Sequence, residues 1–70
     1  MDSKYEIIIY WSQEDDAFLA EIPELKGCIA HGESYEEALK NVNIVAMEWI
    51  NIAKEEGWNI PEPKGRLIFA

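Results

Sequence analysis

One cysteine, one histidine and four glycines are all that this seventy-residue chain carries of the residue types that build disulfides, metal clusters and phosphate loops. A lone cysteine excludes an internal disulfide and falls one ligand short of the simplest thiolate pair. No apolar run approaches the roughly 20 residues a membrane span needs, and the opening MDSKYEIIIYW has an acid at position 2, unlike a signal peptide. A soluble, cytoplasmic protein is expected. Basic residues are also scarce: six Lys and Arg face fourteen Asp and Glu, giving a formal charge of −8, and no two basic residues are adjacent. Affinity for nucleic acid comes from clustered cations releasing counterions, so direct nucleic-acid binding and membrane binding are both disfavoured, whereas electrostatic steering favours a basic protein partner.

What the chain has is apolar substance. Hydrophobic residues make up 49% of it and three are tryptophan, too much for a disordered segment. Seventy residues allow one domain, expected over positions 1–70. A chain this short buries a modest share of its surface, and small domains commonly gain stability from disulfides, metals or self-association. With no disulfide or metal set in prospect, a homo-oligomer is expected and no cofactor.

The pattern predicts an α+β order of βββαβ. YEIIIYW (5–11) is β-branched and aromatic, with Tyr5, Ile7, Ile9 and Trp11 on one side and Glu6, Ile8 and Tyr10 on the other. SQEDD is a polar turn, and AFLAEI (17–22) a second strand with Phe18, Ala20 and Ile22 on one face. Pro23 ends its pairing, PELKG turns, and CIAHG (28–32) completes a three-stranded antiparallel meander. Ser34 and Glu37 have capping-box spacing and open a helix. Along it Tyr35, Ala38, Leu39, Val42, Val45, Ala46, Trp49, Ile50 and Ala53 form one apolar stripe, which Gly57 ends. After the prolines of NIPEPKG, RLIFA (66–70) reads as a fourth strand, making the helix a crossover laid on one sheet face. The other face, carrying Ile8, Tyr10, Ala17 and Leu19, has no helix to cover it. Ile8, Tyr10 and Leu19 are therefore expected to form an oligomer interface.

Three constellations invite chemistry. Cys28 and His31 could pair as thiol and base, but residues three apart on a strand point to opposite faces, so Cys28 is expected in the core and His31 at the rim. Glu14, Asp15 and Asp16 could hold a cation, yet they lack the alternate spacing and glycine of a calcium loop, and a solvated turn or a contact to a basic partner is the better reading. Ile44 and Met47 interrupt a helix face otherwise held by Glu36, Glu37, Lys40, Glu48, Asn51, Lys54 and Glu55. An adjacent apolar pair ringed by charge suits a docking site, although exposed apolar residues are common.

DAFLA (16–20), IPELKGC (22–28), GESYEEALKN (32–41), Trp49 and GWNIPEP (57–63) together resemble the HicB-like antitoxin family, over nearly the whole chain. The resemblance implies a partial ribonuclease H fold with the last strand beside the first. It also implies a non-catalytic antitoxin that covers the active site of a small basic HicA-like mRNA-cleaving toxin. Trp11, Glu14, Asp15, Asp16, Ile44 and Met47 are then the expected partner-binding residues. A chain stopping at Ala70 would lack the DNA-binding domain of longer members. Two alternatives stand beside this reading. One is a solitary oligomeric adaptor with a different protein partner. The other is a metal-dependent nuclease, which would need Glu6 and Glu14 to Asp16 to be met by acids such as Glu33 or Glu48.

Overall fold

The computed structural model describes residues 4–63. Three strands, β1 (Ile8–Ser12), β2 (Ala17–Glu21) and β3 (Ile29–Gly32), are followed by one helix, α1 (Tyr35–Glu56). The strands form an antiparallel meander in the order β1-β2-β3. Ile9 lies opposite Ala20 and Trp11 opposite Phe18, while Ala20 lies opposite Ala30 and Phe18 opposite Gly32. Strand alternation thus puts Ile9, Trp11, Phe18, Ala20, Ala30 and Gly32 on one face, and Ile8, Tyr10, Leu19, Glu21, Ile29 and His31 on the other.

The expected βββαβ order is corrected to βββα. The expected fourth strand, residues 66–70, lies outside the described residues. Between the helix and that point, residues 58–63 run without strand structure. Pro61 and Pro63 cannot donate to a ladder, and the carbonyl of Pro61 instead accepts the Tyr5 hydroxyl, which ties this segment to the start of the first strand. Among the described residues the helix packs back on the meander and no fourth strand joins the sheet.

Local chemistry sets the helix ends. Ser34 is extended, and its Oγ accepts from the Glu37 amide at 3.1 Å; the Glu37 carboxylate accepts in turn from the Glu33 amide at 2.7 Å. At the other end Gly57 adopts the left-handed conformation, φ 75°, and donates to the Ala53 carbonyl, as does Trp58 at 2.8 Å. Trp49 Nε1 donates to the Lys26 carbonyl at 2.9 Å, pinning the last turns of the helix to the β2–β3 connection.

Helix and sheet meet through small residues. Ala38, Val42, Ala46 and Ala53 are fully buried on the helix, over Ala20, Ile22 and Cys28 below. The two layers approach closely at Gly32, where a Cβ would stand 2.5 Å from the Ala38 amide nitrogen and 2.8 Å from the Glu37 carbonyl carbon. The β2–β3 connection is more than a turn. Hydrogen bonds from Leu25 to the Ile22 carbonyl and from Cys28 to the Leu25 carbonyl coil it so that Leu25 plugs the core with no exposed surface.

Candidate functional site

Among the described residues, two apolar surfaces formed by the sheet remain outside this core. The first is the face of the sheet away from the helix. Its cross-strand rows are Ile8, Glu21, Ile29 and Tyr10, Leu19, His31. Ile8, Tyr10 and Ile29 expose 37%, 39% and 44% of their surface, and Leu19 is half-buried between them. Within the strands Glu21 is the one acid on this face. A shallow depression lined by Asp15, Leu19, Ile29 and His31 opens at one side of it. Ile29 escaped the sequence reading, although alternation from buried Cys28 would have placed it here.

The second surface lies at the end of the molecule where the β1–β2 turn meets the helix start. Trp11, from β1, meets Phe18, from β2, edge to face with ring centroids 5.0 Å apart; Phe18 in turn lies 4.4 Å from Tyr35, the first residue of the helix. Trp11 and Tyr35 are about half exposed and Phe18, between them, is half-buried. One hairpin and the helix start thus supply one run of rings. Tyr35 had been expected in the helix's buried stripe, but at the first helical position it overhangs the end of the sheet and finds Phe18 in place of the core.

Glu14, Asp15 and Asp16 form the turn joining Trp11's strand to Phe18's. Ser12 Oγ donates to the Asp15 carboxylate at 3.0 Å, and Asp16 takes a left-handed φ of 51°, a conformation that aspartate tolerates. All three acids are exposed. Ile44 and Met47 are exposed on the outer helix face, by 48% and 46%. They lie roughly 13 and 18 Å along the helix from Tyr35 at 1.5 Å per residue, so they do not join the aromatic corner. Trp58 packs edge to face on Trp49, centroids 5.8 Å apart, near the far end.

Reactive groups do not converge. Cys28 is buried beneath the helix, where burial pushes its thiol above the ordinary value. His31 is exposed on the opposite face, with its carbonyl accepting from Asn41 Nδ2 at 2.8 Å. Tyr5 is likewise raised, first by burial and then by the carboxylates of Glu24 and Glu62. Among the described residues no three His, Cys, Asp or Glu side chains are grouped to hold a metal ion, and no helix is long and apolar enough to cross a membrane.

A family profile described as UPF0150-like matches residues 3–61. The chain belongs to the UPF0150-like family. A UPF0150 protein of Synechocystis is 42% identical over 63 residues, which covers 90% of this chain and 85% of that relative. A UPF0150 protein of Helicobacter pylori is 47% identical over 30 residues, 43% of this chain and 42% of its own length. No solved structure matches the chain.

This assignment corrects the expected membership of the HicB-like antitoxin family, and with it the ribonuclease H fold, the antitoxin function and the HicA-like toxin partner. The error has a physical source. Pro23, Gly27, Gly32, Ser34 and Gly57 set turns, caps and a close approach, while Ala20, Cys28, Ala38 and Trp49 pack. Such positions specify how a small UPF0150-like domain closes on itself and carry no information about what it binds.

Proposed function

We propose that this UPF0150-like chain is a non-catalytic protein-interaction module that pairs with a second copy of itself through the open face of its sheet. The observation carrying this reading is the contiguous patch of Ile8, Tyr10, Leu19 and Ile29, uncovered among the described residues, on a domain whose opposite sheet face packs under the helix except at its Trp11 end. Charge placement supports a second copy as the occupant. A molecule of formal charge −8 repels its own kind over most of its surface. Glu21 alone among the strand residues brings negative charge to this face, and exposed His31 lies near it in the neighbouring row. Two copies related by a two-fold axis could thus join apolar centres while directing most of their carboxylates outward.

Three strands of about five residues give a face of roughly 15 by 17 Å, below the ~800 Å² per partner of a standard stable interface. A face this small favours a reversible, concentration-dependent pairing over a permanent one. The non-catalytic part of the reading is supported by the separation of Cys28 and His31 onto opposite sides of the sheet.

Sedimentation equilibrium over a wide concentration range tests the proposal. A monomer–dimer equilibrium is expected for the native chain, and Tyr10→Lys, in the middle of the patch, should remain monomeric with unchanged circular dichroism. A native chain still monomeric at millimolar concentration, or a Tyr10→Lys variant that pairs as well as the parent, defeats it.

A further inference from the structure

The aromatic corner is separate from the pairing face, since Trp11 and Phe18 stand on the helix side of the sheet and Tyr35 on the helix itself. Ring faces attract cations through their quadrupole, and half-exposed rings held by their neighbours offer such faces without the entropy cost of ordering them. The spacing is also suggestive. The two exposed rings, Trp11 and Tyr35, are separated by no more than the steps of 5.0 and 4.4 Å through Phe18, which admits the ~7 Å between alternate side chains of an extended peptide.

The surrounding charge favours the same occupant. Between Lys4 and Lys40 the sequence places nine acids and one base, Lys26, and that base sits at the far end, by Trp49. Glu14, Asp15 and Asp16 connect the strands of Trp11 and Phe18, while Glu33, Glu36 and Glu37 surround Tyr35 in sequence, all exposed. The helix N-terminus contributes an opposing partial charge of roughly half a unit, which these carboxylates outweigh. Among cationic side chains the guanidinium stacks flat on aromatic rings and donates to carboxylates from its edge, whereas an ammonium is a compact, strongly hydrated point.

We infer that Trp11, Phe18 and Tyr35, rimmed by Glu14, Asp16 and Glu36, form a docking site for an extended, arginine-bearing segment of a partner protein. Guanidinium groups lie on the ring faces and the acids hold their edges. Each copy of the chain carries one such site, whether or not the copies pair.

The test is titration of the full chain with a peptide of alternating arginine and glycine, followed by the indole N–H resonance of Trp11 and by calorimetry. Saturable binding that shifts this resonance is expected, weakened at least fivefold in both Trp11→Leu and Tyr35→Leu. The lysine version of the peptide should bind several-fold more weakly and a glutamate version not at all. The Tyr10→Lys variant should bind the arginine peptide as the parent does, which separates this inference from the pairing reading. Three results overturn it: no saturable binding; binding within twofold of the parent in folded forms of both ring variants; or a loss in Glu14→Gln and Asp16→Asn with no dependence on the rings, which would mark plain charge attraction.

Discussion

The two faces of the same three-stranded sheet are built from similar residues and meet opposite fates. On the helix side Ala20, Ile22 and Cys28 keep at most 2% of their surface, whereas on the open side Ile8, Tyr10 and Ile29 keep about two-fifths. The difference lies in what stands opposite. Small residues on the helix, Ala38, Val42 and Ala46, let the two layers approach closely, and Gly32 leaves no room for a side chain. Among the described residues, no second layer stands over the large side chains of the open face. Apolar content alone thus tells little about burial; the alternation of small and large across two elements tells more.

The largest effects are expected where the closed face is densest. Gly32→Val would force side-chain atoms into the backbone of Glu37 and Ala38, which cannot yield as a side chain tip would. A loss of at least 3 kcal/mol is expected, at the upper end for overpacking, and thermal denaturation should find the variant largely unfolded. Next comes Ile22→Ala, which empties one of the largest fully buried positions. About 3 kcal/mol is expected from lost transfer energy and the residual cavity, read as a lower urea midpoint. Equal stability of Ile22→Ala and the parent would mean that the covered face is packed no better than the open one.

How far the sequence revealed this contrast can be judged at single positions. The helix from Tyr35 to Glu56, its serine cap and its left-handed glycine were all legible, because each follows from contacts within a few residues. So was the opposition of Cys28 and His31, which needs only the pleat. Leu25 was not: inside PELKG it reads as turn, and its burial depends on the coil of hydrogen bonds made between positions 22 and 28. Nor was the aromatic corner, since Trp11, Phe18 and Tyr35 meet only once the strand register and the helix position are both fixed. Motifs misled most about function, because residues that set turns and caps are shared by folds with unlike partners.

Effects nearer 1 kcal/mol belong to the joints between the two layers. Ser34→Ala removes the acceptor for the Glu37 amide at the point where the helix is laid onto β3, and about 1 kcal/mol should be lost in chemical denaturation. Alkali should act on the closed side too. Folding raises the values of Cys28 and Tyr5, so both favour the protonated folded state. Their contribution is whole below the unfolded values and is lost as pH climbs through the raised ones. The urea midpoint is therefore expected to fall from about pH 8.5 upward, the range in which an unperturbed thiol begins to ionise. In Cys28→Ala the fall should begin later, nearer the tyrosine range; an onset unmoved by that substitution would show that Cys28 ionises freely in the folded state.

The smallest expected effect on stability is the most informative about the open face. Ile8→Thr changes a residue 37% exposed on a strand where β-branching is retained, so the backbone preference is preserved and a partly wetted ethyl group gives way to a hydroxyl. Within the monomer this should cost under about 0.5 kcal/mol, in the range of ordinary surface substitutions. Measured on dilute protein, the thermal midpoint should stay close to that of the parent. Raising the concentration should then separate the two proteins, because pairing stabilises only the chain that pairs. The parent's midpoint climbs with concentration while that of Ile8→Thr lags behind. A large loss already present at high dilution would instead mean that the open face is packed within a single chain, and the contrast between the two sides of the sheet would disappear.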